Sequence, residues 1–158
     1  MRTIGVISDT HGLLRDEAVE ALEGSDLILH AGDVGGPEIL ERLALIAPLA
    51  VVRGNTDYGE AAGTWPATDL VSLGDESRSV FAYLLHDIGL LDLDPVAAGV
   101  AVVVYGHSHR PAMERRDGVL YFNPGAAGHR RFTLPVTVGR LLIGDDGGVS
   151  GEIIDLEV

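Results

Sequence analysis

The chain has 158 residues, of which 46% are hydrophobic and 22% are charged, a composition typical of a globular domain rather than of a disordered segment. Its formal net charge of -13 disfavours nucleic acids and anionic membranes as partners, and the absence of cysteine excludes disulfides and thiol catalysis. The apolar runs are too short to span a bilayer, and the N-terminal stretch lacks the apolar core of a signal peptide. We therefore expect a single domain over residues 1–158 in the cytoplasm, and the possibility of a homo-oligomer stays open.

The first half of the chain alternates strand patterns with helix patterns. Short apolar runs rich in β-branched residues predict strands at residues 3–7, 27–29 and 49–52. Between them, helical spacing predicts one helix over residues 16–24 and another that begins at Pro37. This β-α-β-α-β order implies right-handed crossovers and parallel strands.

The second half of the chain consists mainly of strand patterns. We predict strands at 68–73, 78–85 and 100–105, and a short helix over 95–98. Two hairpins follow, which pair 113–115 with 119–122 and 136–143 with 149–156. Parallel strands in the first half and antiparallel strands in the second predict an α/β fold of two packed sheets with helices outside.

Polar residues stand where five of these apolar runs end. The five strand-end motifs contain Asp9 and His11, His30 and Asp33, Asn55 and Asp57, His86 and Asp87, and His107 and His109. Because the carboxyl ends of parallel strands converge on one crevice, residues that are distant in sequence can form one site there.

The donor types at these strand ends favour a metal site. Asp, Asn and His donors without cysteine suit Mn, Fe, Ni, Co or Zn, and the mixture of nitrogen and oxygen donors argues against a calcium site. The donors are too many for one tetrahedral ion. Two divalent ions roughly 3.5 to 4 Å apart would use them all, with one carboxylate as a bridge.

The order and spacing of these motifs resemble the calcineurin-like metallophosphoesterase superfamily. DTH, GD, GN, a strand-end His and GHSH carry the resemblance over residues 4–127, and NPGAA at 123–127 resembles the NPGS segment of the short bacterial and archaeal phosphodiesterase branch. The resemblance implies a sandwich of two mixed β-sheets flanked by helices. It also implies two metal sites, one held by Asp9, His11, Asp33 and His109 and the other by Asp33, Asn55, His86 and His107, with Asp33 as the bridge. Of the candidate ions we expect manganese.

A dimetal centre of this kind implies hydrolysis of a small phosphoester. A hydroxide shared by the two cations would attack phosphorus in line and break a P–O bond without a side-chain nucleophile. We therefore predict a dimetal phosphodiesterase in which Asp33 and Asn55 are catalytic ligands and Asp57 orients Asn55 or a group on the substrate side. The alternative is a non-catalytic protein-interaction scaffold, because a retromer subunit resembles the same fold. A scaffold has no need to keep the full set of donors.

Four features of the sequence depart from the family pattern or stay outside the ligand set. Thr56 stands where many larger relatives carry a general-acid histidine, which suits diesters with good leaving groups. Ile88 replaces a polar group that usually lies near the substrate mouth. We expect His30 to be structural, and we expect residues 129–131 to form a solvated loop rather than a phosphate clamp.

Overall fold

The computed structural model describes residues 1–158 and contains ten strands and two α-helices. The strands are β1 (Arg2–Ile7), β2 (Leu27–His30), β3 (Leu49–Val51), β4 (Thr68–Ser72), β5 (Phe81–Leu85), β6 (Val102–Val104), β7 (Ala112–Arg116), β8 (Val119–Asn123), β9 (Thr137–Ile143) and β10 (Val149–Asp155). The helices are α1 (Asp16–Leu22) and α2 (Pro37–Ala44), and single 3-10 turns lie at Ala62–Thr64 and Ile88–Leu90. Neither α-helix, at seven and eight residues, is long enough to cross a bilayer.

The strands form two mixed sheets of five strands each. The order in the first sheet is β10-β9-β1-β2-β3, with β1, β2 and β3 parallel, and the order in the second is β4-β5-β6-β8-β7, with β5, β6 and β8 parallel. The predicted α/β fold with two packed mixed sheets is therefore confirmed. The prediction that the second half is antiparallel is wrong in part, because β5, β6 and β8 pair in parallel through long connections. The local patterns also missed the return of the C-terminal hairpin to β1, which extends the first sheet with antiparallel strands.

The main core lies between the two sheets, and a second one lies under the helices. Ile4 and Val6 of β1 point into the inner core with Phe122, whereas Ile7 points outward to the cluster that contains Leu22 and Leu43 of the two helices. This alternation follows from the two-residue period of a strand. The first sheet is thus covered on both faces.

The outer face of the second sheet is covered by the segment 88–100 and not by a helix. Ile88, Leu91 and Leu93 of this segment pack against a small cluster on that face. The predicted helix over 95–98 is wrong, because those residues form an isolated turn in which Val100 N–H donates to the Pro95 carbonyl at 2.9 Å. A single turn closed by Gly99 at φ 72° is too short to propagate as a helix.

Candidate metal centre

The five polar strand ends meet at one edge of the sandwich. They follow β1, β2 and β3, which are parallel neighbours in the first sheet, and β5 and β6, which are parallel neighbours in the second. Backbone hydrogen bonds join the loops within each sheet: His11 N–H donates to the Asp33 carbonyl at 2.9 Å, and Gly106 N–H donates to the His86 carbonyl at 3.0 Å. The candidate ligands therefore stand on a connected frame of backbone rather than on free loops.

A first group of donor atoms comes from β1 and the GHSH loop. Asp9 Oδ1 lies 3.4 Å from His109 Nε2 and 3.7 Å from His11 Nε2, and the two imidazole nitrogens are 3.4 Å apart. Donors bound to one ion at about 2.1 Å stand roughly 3.0 to 3.4 Å from each other. The three atoms can thus hold a metal ion with only a small adjustment.

A second group lies beside the first and shares a carboxylate with it. Asp33 Oδ2 is 3.2 Å from His86 Nε2 and 3.7 Å from His11 Nε2, so this oxygen faces both groups. Asn55 Oδ1 is 3.0 Å from His86 Nε2 and 3.2 Å from His107 Nδ1. The structure therefore brings together all seven residues that the sequence predicts as ligands. It also leaves Asp9 Oδ1 3.9 Å from His86, so either carboxylate can reach toward both groups.

The chemistry of these atoms fits a cation. Asp9 Oδ1 is buried and accepts no hydrogen bond. His86 Nδ1 lies 2.8 Å from the Ala31 carbonyl, which can only accept, so Nδ1 carries a proton and Nε2 points at the oxygens of Asp33 and Asn55. Burying a carboxylate oxygen without a partner costs free energy, and so does aiming an imidazole nitrogen at two oxygen acceptors. Positive charge between these atoms would remove that cost.

The ionisation of the buried groups follows the same electrostatics. Burial by itself raises the pKa of Asp9, but its contacts with His109, His11 and Ser8 outweigh burial and hold the pKa well below its usual range. The pKa of Asp33 is lowered in the same way, against burial, by His86 and the backbone of Thr56. Both carboxylates are therefore ionised, and a cation bound there would compensate two negative charges.

The two histidines that face these carboxylates show the opposite shift. The contact with Asp9 raises the pKa of His11 against the effect of burial, and burial lowers the pKa of His86 less than Asp33 and Asp9 raise it. Protons on these rings and a metal ion compete for the same nitrogen atoms.

Strained backbone is concentrated at the candidate ligands. Five of the eight non-glycine residues with positive φ are among the seven ligands: Asp9 (54°), His11 (46°), Asp33 (55°), His107 (71°) and His109 (64°). L-residues rarely adopt this region, which costs about 1 to 3 kcal/mol per residue, and such strain is concentrated at functional sites. The surrounding hydrogen bonds hold the ligand loops in a conformation that their sequences do not favour.

Two glycines of the motifs let backbone approach the carboxylates. A Cβ at Gly54 would lie 2.1 Å from Asp33 Oδ1, and a Cβ at Gly106 would lie 2.7 Å from Asp9 Oδ2. These positions explain why glycine precedes the ligands Asn55 and His107 in GN and GHSH. Any side chain there would displace a ligand carboxylate.

Asp57 contacts the backbone of two ligand loops and not the Asn55 side chain. Its Oδ1 accepts the N–H groups of Val34 at 2.9 Å and Gly35 at 3.2 Å, and its Oδ2 accepts Gly54 N–H at 2.9 Å. None of its hydrogen bonds goes to the Asn55 side chain. Asp57 thus ties the loop after β2 to the loop after β3 and positions the ligands on both through the backbone.

His30 is buried behind the ligands and connects their loops. Its Nδ1 accepts Gly32 N–H at 3.1 Å, and its Nε2 lies 3.0 Å from the Thr10 hydroxyl, which itself donates to the Val34 carbonyl at 2.7 Å. These partners require a neutral ring with the proton on Nε2, and burial lowers the pKa of His30 to about 4. This agrees with the expectation of a structural residue.

Two supporting residues were missed by the sequence reasoning. Ser8 donates its hydroxyl to Asp9 Oδ2 at 2.7 Å, and Asn123 donates its amide to the Gly106 carbonyl at 3.1 Å. Asn123 also accepts Gly125 N–H at 2.9 Å, so the NPG segment holds the GHSH loop in place. The signal for Asn123 was the NPGAA motif itself, whereas nothing in the sequence distinguishes Ser8 from any serine that precedes a loop.

Ile88 and residues 129–131 both face away from the ligand groups or toward solvent. Ile88 packs on the outer face of the second sheet, so it does not lie at the substrate mouth as the resemblance implied. Residues 129–131 are exposed, and the Arg130 guanidinium donates to the Val158 carbonyl at 2.8 Å. The exposure agrees with a solvated loop, and the charge of Arg131 nevertheless reaches His11, where it partly opposes the rise in pKa that Asp9 causes.

Two cavities adjoin the ligand groups. One, of about 400 Å³, adjoins the first group, and its lining includes His11, Thr56, Asp57, Tyr58 and Trp65. The other, of about 350 Å³, adjoins the second group, and its lining includes Arg53, Asn55, Leu85, His86 and Leu90. Each cavity has the size of a small-ligand site.

Known proteins share both the sequence pattern and the fold. The profile of the calcineurin-like phosphoesterase superfamily domain matches residues 1–146. A probable metallophosphoesterase of Methanothermobacter thermautotrophicus is 32% identical over 168 residues, which cover 98% of this chain and 90% of that protein. The phosphodiesterase MJ0936 of Methanocaldococcus jannaschii is 28% identical over 137 residues, which cover 77% of this chain and 82% of that protein.

A solved structure of Vps29 from Entamoeba histolytica in complex with zinc is also similar. It has a TM-score of 0.72 at 20% identity and covers 98% of this chain and 99% of its own, a likeness that shows the fold alone. The profile match and the Methanothermobacter relative go further, because both extend over the ligand motifs. The chain therefore belongs to the calcineurin-like phosphoesterase superfamily.

Proposed function

We propose that this protein is a phosphodiesterase that holds two divalent cations, manganese by preference, and hydrolyses a small phosphodiester. The observation that carries the proposal is the convergence of seven nitrogen and oxygen ligands into two adjoining groups that share the Asp33 carboxylate. Two cations held there would acidify a shared water and neutralise the phosphoryl oxygens, so a P–O bond could break without a protein nucleophile. We also propose that residues 1–158 act as one domain, because one core joins both sheets.

The ligand residues divide into a buried base and an open rim. Asp9, Asp33, His86 and His109 are buried, His11 is half-buried, and Asn55 and His107 are exposed. The buried carboxylates fix the charge of the site, and the exposed side of the centre stays accessible to a phosphate. This arrangement supports a catalytic centre rather than a closed structural metal site.

Two features favour a diester over a monoester. Thr56, the residue after Asn55, has a hydroxyl that is a poor proton donor at neutral pH, so the site suits leaving groups that depart without protonation. The cavities beside the two ligand groups give room for an ester group on either side of the phosphorus. The M. jannaschii relative, named a phosphodiesterase, supports the same class.

Metal content tests the binding half of the proposal. After manganese loading and removal of free ion, elemental analysis should give close to two ions per chain. His107→Ala and His109→Ala should each lose about one ion, because their side chains belong to different groups. Arg130→Ala, which changes an exposed side chain of the solvated loop, is the control and should retain both ions. One ion or none in the wild type would contradict the two-metal centre.

A substrate panel tests the catalytic half. Bis(p-nitrophenyl) phosphate should be hydrolysed faster than p-nitrophenyl phosphate, and a chelator should abolish both activities. A clear preference for the monoester would contradict the diester assignment. No hydrolysis of either ester by protein that holds two ions would favour the scaffold, which the fold-level likeness to Vps29 leaves as the second candidate.

A further inference from the structure

We propose that the cavity beside His11 binds a planar aromatic ester group of the substrate, such as a nucleoside or an aryl group, by contact with Tyr58 and Trp65. This inference rests on the proposed phosphodiesterase function and specifies the substrate class. The cavity of about 400 Å³ is lined by a candidate metal ligand and by both aromatic residues. A phosphate held at the metal centre can therefore place one ester group in it.

The two aromatic residues differ in how they are held. Tyr58 is 92% exposed, and it directly follows Asp57, whose carboxylate accepts three backbone N–H groups. Trp65 is half-buried, and its carbonyl accepts the Arg53 guanidinium at 3.0 Å. The Trp65 side chain also packs against the core under the helices, so it offers a fixed apolar surface, and Tyr58 offers a ring that loses exposure when a ligand covers it.

The charges around the cavity favour an uncharged group. No arginine or lysine lines it, and the Asp57 carboxylate is already engaged by backbone. The charge of Arg131 reaches His11, where it partly opposes the rise in pKa that Asp9 causes, but Arg131 does not line the cavity, so a second phosphate or a carboxylate inside it would contact no arginine. A neutral aromatic group can stack on the rings of the cavity, and each stacked base or ring raises the binding affinity by a measurable factor.

Fluorescence of the metal-loaded protein tests the aromatic contact without any need for turnover. Trp65 is the one tryptophan of the chain, so intrinsic tryptophan emission reports on this cavity. Adenosine monophosphate should quench the emission with saturation, and ribose phosphate, which lacks the base, should not. Phenyl phosphate distinguishes the two sources, because saturation at the same concentration as the nucleotide indicates a simple aryl group and weaker binding indicates a nucleoside. Equal responses to the nucleotide and to ribose phosphate would overturn the inference.

Variants locate the contact in this cavity. Tyr58→Ala should weaken nucleotide binding roughly fivefold to tenfold, whereas Tyr58→Phe should bind as the wild type does. Phe132→Ala is the matched control, because Phe132 is also aromatic, is 88% exposed and lines none of the cavities. An unchanged affinity in Tyr58→Ala, or an equal loss in Phe132→Ala, would overturn the assignment to this cavity.

Kinetics then separate this inference from the proposed function. The p-nitrophenyl ester of thymidine monophosphate and methyl p-nitrophenyl phosphate have the same leaving group and differ in the other ester group. Tyr58→Ala should raise KM for the nucleoside ester roughly fivefold to tenfold and leave the methyl ester unchanged. If the wild type hydrolyses neither ester, the proposed phosphodiesterase function is refuted, while the fluorescence result still stands. If Tyr58→Ala changes KM equally for both esters, only the aromatic site is refuted.

Discussion

Acid should destabilise this protein through His30, a buried histidine whose two ring nitrogens are both committed. Nδ1 accepts Gly32 N–H, so a second proton on the ring would have to face a hydrogen-bond donor. Nε2–H donates to the Thr10 hydroxyl, whose own proton goes to the Val34 carbonyl. Protonation of His30 in the folded state is therefore opposed by burial and by geometry.

The size of the effect follows from the shift in pKa. Burial lowers the pKa of His30 from 6.5 to about 4, so between these values the unfolded chain binds a proton that the folded chain does not. The neutral His30 therefore contributes its full share to the free energy of unfolding above the pKa that the histidine has in the unfolded chain. That contribution is lost as the pH falls toward the pKa of His30 in the folded protein. Over the whole window the loss is about 3 kcal/mol, and between pH 7 and pH 5 it is about 2 kcal/mol.

Urea unfolding at pH 7 and pH 5, with a chelator present, measures this loss. His30→Asn retains an acceptor for Gly32 N–H but cannot take up a proton. Its free energy of unfolding should therefore fall between pH 7 and pH 5 by about 2 kcal/mol less than that of the wild type. The shared contributions of the other histidines cancel in this comparison. His129→Asn, which changes an exposed histidine, is the matched control and should follow the wild type. Parallel pH dependence in the wild type and His30→Asn would refute the reasoning.

Three further predictions follow from the site and its surroundings. Asp33→Asn should lower diester hydrolysis at least about a hundredfold in steady-state assays, because this carboxylate faces both ligand groups; an unchanged rate would favour the scaffold. His107→Gly should be about 1 kcal/mol more stable than His107→Ala in urea unfolding, since φ is 71° at this exposed residue, and equal stability would argue against stored strain. Ile88→Ala should lower the free energy of unfolding by about 1 kcal/mol and leave the ratio of diester to monoester hydrolysis rates unchanged, because Ile88 packs away from the site. A changed ratio would indicate that Ile88 lies near the substrate after all.

The sequence by itself determined the kinds of element and the kinds of ligand. Apolar runs of β-branched residues predicted all ten strands to within a few residues at their ends, and the polar residues after five of them predicted one site, because strand ends are local features of the chain. The donor types of Asp33, His86 and their neighbours indicated a metal site for the same reason, since side-chain chemistry does not depend on the fold. The turn at 95–98 was misjudged because a helix needs more than one turn of favourable residues.

Only the tertiary structure decided how distant residues meet. His107 N–H donates to Asp9 Oδ2 at 3.1 Å across 98 positions of sequence, and the C-terminal hairpin pairs with β1 at the other end of the chain. The positive φ of the ligands, the backbone partners of Asp57 and the outward packing of Ile88 are equally invisible in local patterns. Each of these depends on which strands become neighbours and which face of a loop is buried, and those choices come from the summed free energy of packing and not from the propensity of any one segment.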